Sequence, residues 1–183
     1  NAAMKIGAHV SSSGRLDLAI DRAVEIGAEC VQLFVSPPQM WAFKTPDEKV
    51  ATAFRVKAGE MAVGPNVLHG VYLVNLATEN PELLAKSTEA LTGDLRLASA
   101  IGAQGVIFHV GSHKGTGFKQ VLPQIARALK QVLKDTPDDA WVILENSAGM
   151  GGSVGSKLGE LGAIMQAVRS PRLKVCFDTE HAY

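Results

Sequence analysis

The chain has 183 residues, with 18 Lys and Arg against 18 Asp and Glu, 46% hydrophobic and 20% charged. That length suits one domain with a substantial core, and the apolar content is too high for disorder. A formal net charge of zero excludes a polyanion binder that works through bulk positive charge, so any nucleic-acid surface must be a local patch. No apolar run approaches the ~18 residues of a membrane span, and no basic segment followed by a short apolar stretch marks a signal peptide. Cys30 and Cys176 each fall inside a strand-like run, which points to reduced thiols in a cytoplasmic protein rather than a disulfide framework. Asn1-Ala2-Ala3 before Met4 reads as a tag-cleavage scar, leaving 4–183 as a single domain.

In chain order, the first strand-like run covers 5–10 and leads into Ala8-His9-Val10-Ser11. A dinucleotide-binding sheet would carry Gly-x-Gly-x-x-Gly there. A second run covers 30–35, and Thr45-Pro46-Asp47-Glu48 then offers an N-cap, a Pro at the first helical position and a Glu to close a capping box. The third run is 66–71. Asn80-Pro81 repeats the cap-plus-Pro signal ahead of Leu83, Leu84 and Leu91. After the fourth run, 105–110, Leu122, Ile125, Leu129, Val132 and Leu133 share one helical face. The fifth run is 141–145. It is followed by a helical pattern of Leu158, Leu161, Met165 and Val168, and the sixth run is 173–178. Strands alternating with helices predict an α/β fold with a parallel sheet. An open doubly wound sheet and a (β/α)8 barrel both satisfy this alternation. A barrel typically needs ~250 residues, so on that reading about six βα units are present and the barrel is incomplete.

Four polar side chains fall at the ends of predicted strands: His69, His109, Glu145 and Asp178, spaced 40, 36 and 33 residues apart. That spacing is about one βα unit each, so in a barrel they converge on the C-terminal rim, where barrel enzymes place their chemistry. His181 lies on the same rim loop as Asp178. Imidazoles and carboxylates without a basic partner suit a divalent metal, and a mixed N/O set favours zinc, manganese or cobalt. A carboxylate such as Glu145 can bridge two metals in a site that hydrolyses phosphodiesters. Against this stands the plainer reading, in which a lone strand-end His is a hydrogen-bonded structural residue and Glu145-Asn146-Ser147 caps the next helix. His9 and His113 have no comparable claim as ligands, and Cys176 reads as buried.

Five segments together resemble endonuclease IV, the zinc-dependent family 2 apurinic/apyrimidinic endonucleases. They are Ile6-Gly7-Ala8-His9-Val10-Ser11, His69-Gly70-Val71-Tyr72-Leu73-Val74-Asn75-Leu76, Phe108-His109-Val110-Gly111-Ser112-His113, Leu144-Glu145-Asn146-Ser147-Ala148-Gly149 and Cys176-Phe177-Asp178-Thr179-Glu180-His181-Ala182. They run in family order over 4–183 and correspond to the N-terminal two-thirds of the family's domain. The resemblance implies a (β/α)8 TIM barrel of the xylose-isomerase-like type. It also implies a deoxyribonuclease IV type phosphodiesterase of base-excision repair that cuts double-stranded DNA 5′ to abasic sites. By the same resemblance His69 and His109 ligate one zinc, Glu145 bridges it to a second and is central to catalysis, Asp178 ligates the second, and His181 ligates a third. Up to three Zn2+ belong to a complete family site, and fewer are expected here. Tyr72 and Leu73 match positions that enter the DNA minor groove, and Gln39 falls where relatives probe the DNA.

Some residues depart from the family pattern. Many relatives carry a basic or longer polar residue near Gln39, and Glu180 stands where a small or polar residue is common. The family's remaining ligands fall beyond Tyr183, so this chain is expected to be weakly active or inactive, with exposed barrel edges prone to self-association. Lys44, Lys114 and Lys119 are the candidate DNA-facing cations. The alternative from the same architecture is a metal-dependent sugar isomerase or epimerase of the xylose-isomerase-like superfamily.

Overall fold

A computed structural model of the chain describes residues 4–34, 41 and 47–182. Gln39, Lys44, Thr45 and Pro46 lie outside these, so neither the DNA-probing position nor the first half of the Thr-Pro capping signal can be placed.

The described chain alternates strand and helix: β1 (Gly7–His9), α1 (Leu18–Glu25), β2 (Cys30–Phe34), α2 (Glu48–Glu60), β3 (Val67–His69), α3 (Pro81–Ile101), β4 (Gly105–His109), α4 (Phe118–Lys134), β5 (Trp141–Glu145), a 3-10 turn at Met150–Gly152, α5 (Leu158–Val168) and β6 (Leu173–Cys176). The six strands form one parallel sheet in chain order, each helix returning the chain to the next strand. This excludes the doubly wound alternative, whose strand order reverses.

Side-chain alternation along the strands divides the sheet into two faces. Val31, Leu33, Leu68, Val106, Phe108, Val142 and Leu144 are buried and belong to the apolar core, together with Ile20, Phe54, Leu91, Leu95, Ile125, Leu129 and Ile164 of the helices. The alternate residues form a mixed second face that carries the polar strand ends: His9 pairs in register with Gln32, Phe34 with His69, and His109 with Glu145. The strand-end residues are not level across the sheet. His69 is opposite Ile107, two residues before His109, and Glu145 is opposite Cys176, two residues before Asp178. Such stagger is what strand tilt in a barrel requires.

Helix starts follow their capping chemistry. Asn80 Oδ1 accepts from the Glu82 and Leu83 N–H groups, with Pro81 opening α3. At α2 the cap is Asp47, whose Oδ1 accepts from Lys49 N–H, so the helix begins two residues later than the Thr45 signal predicts. On α5 the buried stripe is Leu161, Ile164 and Val168, whereas the expected Leu158 and Met165 are exposed. Met165 sits ~100° around the helix from Ile164, which carries the contact instead. The sixth strand also ends earlier than predicted, at Cys176, placing Asp178 on the following turn. No helix among the described residues is long and apolar enough to cross a membrane.

Candidate metal centre

Three strand ends supply the first donor group. His69, His109 and Glu145 close β3, β4 and β5, so each backbone is held by parallel ladders on both sides. His69 Nε2 lies 3.1 Å and His109 Nε2 3.2 Å from the same oxygen, Glu145 Oε2. His69 uses its other nitrogen, Nδ1, to donate to the Gly70 carbonyl at 2.8 Å. In the neutral ring that leaves a lone pair on Nε2, aimed at a carboxylate oxygen. Burial, with the His69 and His181 rings, holds the His109 imidazole below its ordinary value against the opposing pull of Glu145. The His69 Nε2 lone pair and the Glu145 carboxylate, both acceptors, therefore face one point beside His109 Nε2, an arrangement that a cation or an added proton reconciles.

A second group shares Glu145. His181 Nδ1 is 3.6 Å from Glu145 Oε1 and 3.5 Å from Asp178 Oδ2. Asp178 Oδ1 accepts the Glu180 and His181 backbone N–H groups at 2.7 and 3.3 Å. Burial works against the Asp178 carboxylate, yet these donors keep it below the usual range. Within each group the candidate donor atoms all lie within 4.8 Å of one another. Donors bound to one tetrahedral zinc at about 2.0–2.1 Å stand about 3.3 Å apart, and the 3.1 and 3.2 Å from Glu145 Oε2 to the two histidine nitrogens fit such an ion. Among the described residues, the ion-pair partners of Glu145 are all histidines, and neither Lys nor Arg neutralises it.

An aromatic wall stands beside these groups. The Tyr72 ring, 57% exposed, lies 5.8 Å from His69 and 5.5 Å from Phe34. Leu73 is half-buried and packs on the core, so of the two expected wedge residues only Tyr72 stands out from the rim. Lys114 and Lys119 are exposed in the segment between β4 and the first turn of α4. His9 lines the second face, its ring 4.5 Å from Phe34 and its Nδ1 3.0 Å from Gln32 Nε2. His113 is a loop anchor, its Nδ1 accepting from Gly115 and Gly117 N–H. Cys176 is half-buried opposite Glu145 rather than buried, and desolvation plus the Glu145 and Asp178 charges push its thiol up.

Sequence reasoning missed two residues. Asn146, considered only as part of a helix cap, bonds across to the Asp178 peptide. Asp94 on α3 is buried, and its Oδ2 is unpartnered among the described residues. Its signal was a carboxylate on the same apolar stripe as Leu91, Leu95 and Ala98.

A family profile described as the xylose isomerase-like TIM barrel matches residues 20–183. The chain is 38% identical over 182 residues to a probable endonuclease 4 of Halorhodospira halophila, covering 98% of this chain and 61% of that protein. The crystal structure of endonuclease IV from Thermus thermophilus superposes with a TM-score of 0.84 at 29% identity, over 98% of this chain and 64% of that one. A xylose isomerase domain protein from Planctomyces limnophilus shares the fold, with a TM-score of 0.73 at 19% identity over 97% and 64% of the two chains. The chain thus spans a little under two-thirds of the length of these relatives. It belongs to the xylose isomerase-like TIM-barrel family, and within that family its sequence similarity runs to proteins named endonuclease 4.

Proposed function

We propose that this chain carries part of the metal centre of a DNA-repair endonuclease that hydrolyses the phosphodiester 5′ to abasic sites in duplex DNA, with zinc as the metal. The observation that carries the reading is the meeting of His69 Nε2 and His109 Nε2 on one Glu145 oxygen, while the other Glu145 oxygen faces the group of Asp178 and His181. The similarity to proteins named endonuclease 4 supports a nucleic-acid substrate. The sugar isomerase alternative rests on likenesses of fold to isomerase and epimerase structures at 14–19% identity.

His69, His109 and Glu145 would hold one ion, and Glu145, Asp178 and His181 would hold the next. When bound, zinc supplies Lewis-acid stabilisation of charge on phosphoryl oxygens and lowers the pKa of attacking water. The residues of the chain supply the rest. Glu145 is 6% exposed and spans the two groups, so its two oxygens set their separation. The Gly70 carbonyl orients the His69 ring, and the Asp178 turn orients its carboxylate. Tyr72 offers an exposed ring at the rim against which a sugar or base can pack, and Lys114 and Lys119 offer cations to the DNA backbone. An abasic lesion suits such a site because no base must be unstacked when the sugar leaves the helix.

The test is incision of a duplex oligonucleotide bearing one abasic site, with zinc, by this chain and its Glu145→Gln variant. Weak zinc-dependent cutting 5′ to the lesion that the variant loses is the expected result. Cutting that survives EDTA, or survives in Glu145→Gln, refutes the assignment.

A further inference from the structure

Asn146 is 3% exposed and follows Glu145 directly, at the point where β5 and β6 stop pairing as strands. Its side-chain amide continues the ladder: Nδ2–H donates to the Asp178 carbonyl at 2.8 Å, and Oδ1 accepts the Asp178 N–H at 2.6 Å. Because both ends of the amide meet a backbone partner of opposite kind, its orientation is fixed by the peptide it grips. The main-chain carbonyl of Asn146 takes a third bond, from His181 Nδ1 at 3.0 Å. One buried residue thus bonds to both Asp178 and His181. Neither lies on a strand, and β6 has ended at Cys176.

We propose that Asn146 is a positioning residue, which clamps the turn of residues 178–181 onto the end of β5 and so preassembles the donor group of Glu145, Asp178 and His181. The inference rests on the metal reading above but is tested apart from it. Without the side-chain amide, the Asp178 peptide loses its tether to β5, and among the described residues the turn keeps only its own bonds and the one from His181 Nδ1 to the Asn146 main-chain carbonyl. Partners that orient ligands in this way are typically worth 10–100-fold in metal affinity.

The same device occurs where the expected donors are absent, which provides a control. Asn75 grips Ser112 with Nδ2–H donating to O at 3.0 Å and Oδ1 accepting N–H at 3.1 Å. Asn75→Ala should lower stability and leave metal affinity unchanged.

The experiment uses the whole chain and its Asn146→Ala, Asn146→Asp and Asn75→Ala variants. Amide hydrogen exchange is followed in the metal-free proteins, and Co2+ is then titrated optically. In Asn146→Ala, the Asp178 amide should exchange at least ~10-fold faster while amides of β4 and β5 keep their protection. Co2+ affinity at the second group should fall about 10–100-fold with the first group intact. Asn146→Asp, which can still accept from Asp178 N–H, should fall between. Unchanged Asp178 exchange, or wild-type Co2+ affinity at both groups in Asn146→Ala, overturns the proposal. Wild-type protein that takes up no Co2+ refutes the metal reading, and the exchange data still decide the clamp.

Discussion

Asp94 allows a quantitative test of how tightly the core closes beneath the site. It projects from the inner face of α3, is 6% exposed, and leaves Oδ2 without a hydrogen-bond partner among the described residues. A Cβ built on Gly70 would sit 3.7 Å from that oxygen, so the carboxyl lies directly under the residue that follows His69. Burial raises its pKa from 3.8 to about 7, with nearby His69 pulling the other way. The unfolded chain therefore releases this proton near pH 4 and the folded chain only near pH 7. Stability falls as pH rises between those values and levels off above them. At about 1.4 kcal/mol per pH unit, the loss over that interval approaches about 4 kcal/mol, an upper figure because water reaching the carboxyl would reduce it. Asn has the same shape and no charge. In EDTA, urea unfolding should show Asp94→Asn gaining about 2–4 kcal/mol on wild type between pH 4.5 and pH 8, and exceeding it at pH 8. Other titrating groups cancel in the difference between the two proteins. A difference that stays flat with pH would mean that Asp94 ionises normally, and the argument from burial would fail.

Other predictions follow from the same packing. Gly111 has φ +107°, and a Cβ there would lie 2.6 Å from the Asn75 Cα, so Gly111→Ala should cost more than ~2 kcal/mol in urea unfolding. Phe108 is fully buried, and Phe108→Ala should cost about 3–5 kcal/mol, whereas exposed Met150→Ala should stay within about 0.5 kcal/mol. The Arg15 and Lys57 side chains hold the Asp17 carboxyl down to about 2. The stability this confers is present above pH ~4 and lost as pH falls through about 2, so the gap between wild type and Asp17→Asn should narrow on acid titration.

The alternation of elements was readable because each βα unit repeats the same two hydrophobic periods, and the convergence of His69, His109 and Glu145 follows once the strands are parallel and in order. What single-strand patterns could not supply was the stagger. Spacing of about one βα unit each suggests one level ring, yet His69 stands two residues below His109, and Asp178 stands beyond the end of β6. Register depends on pairing between strands, and a period of two along one strand carries no information about it. The stagger explains why the centre divides into two groups around Glu145. His69 can reach Glu145 Oε2 from a lower position because its ring spans the offset, whereas Asp178 has left the ladder and needs another tether.

That tether is a side chain, and this is why sequence reading passed over it. An Asn after a strand-end Glu has the signature of a cap or a turn, and only the position of β6 shows that its amide takes over where the backbone ladder stops. The same logic applies to Asp94, whose charge is conspicuous on an apolar stripe but whose surroundings depend on how α3 packs over β3 and β4. Donors on strand ends inherit rigidity from the sheet, while donors on turns must be given it by their neighbours. The second donor group should therefore be the more sensitive to changes outside its ligands, and loss of Asn146 should weaken it before any change in the first group is felt.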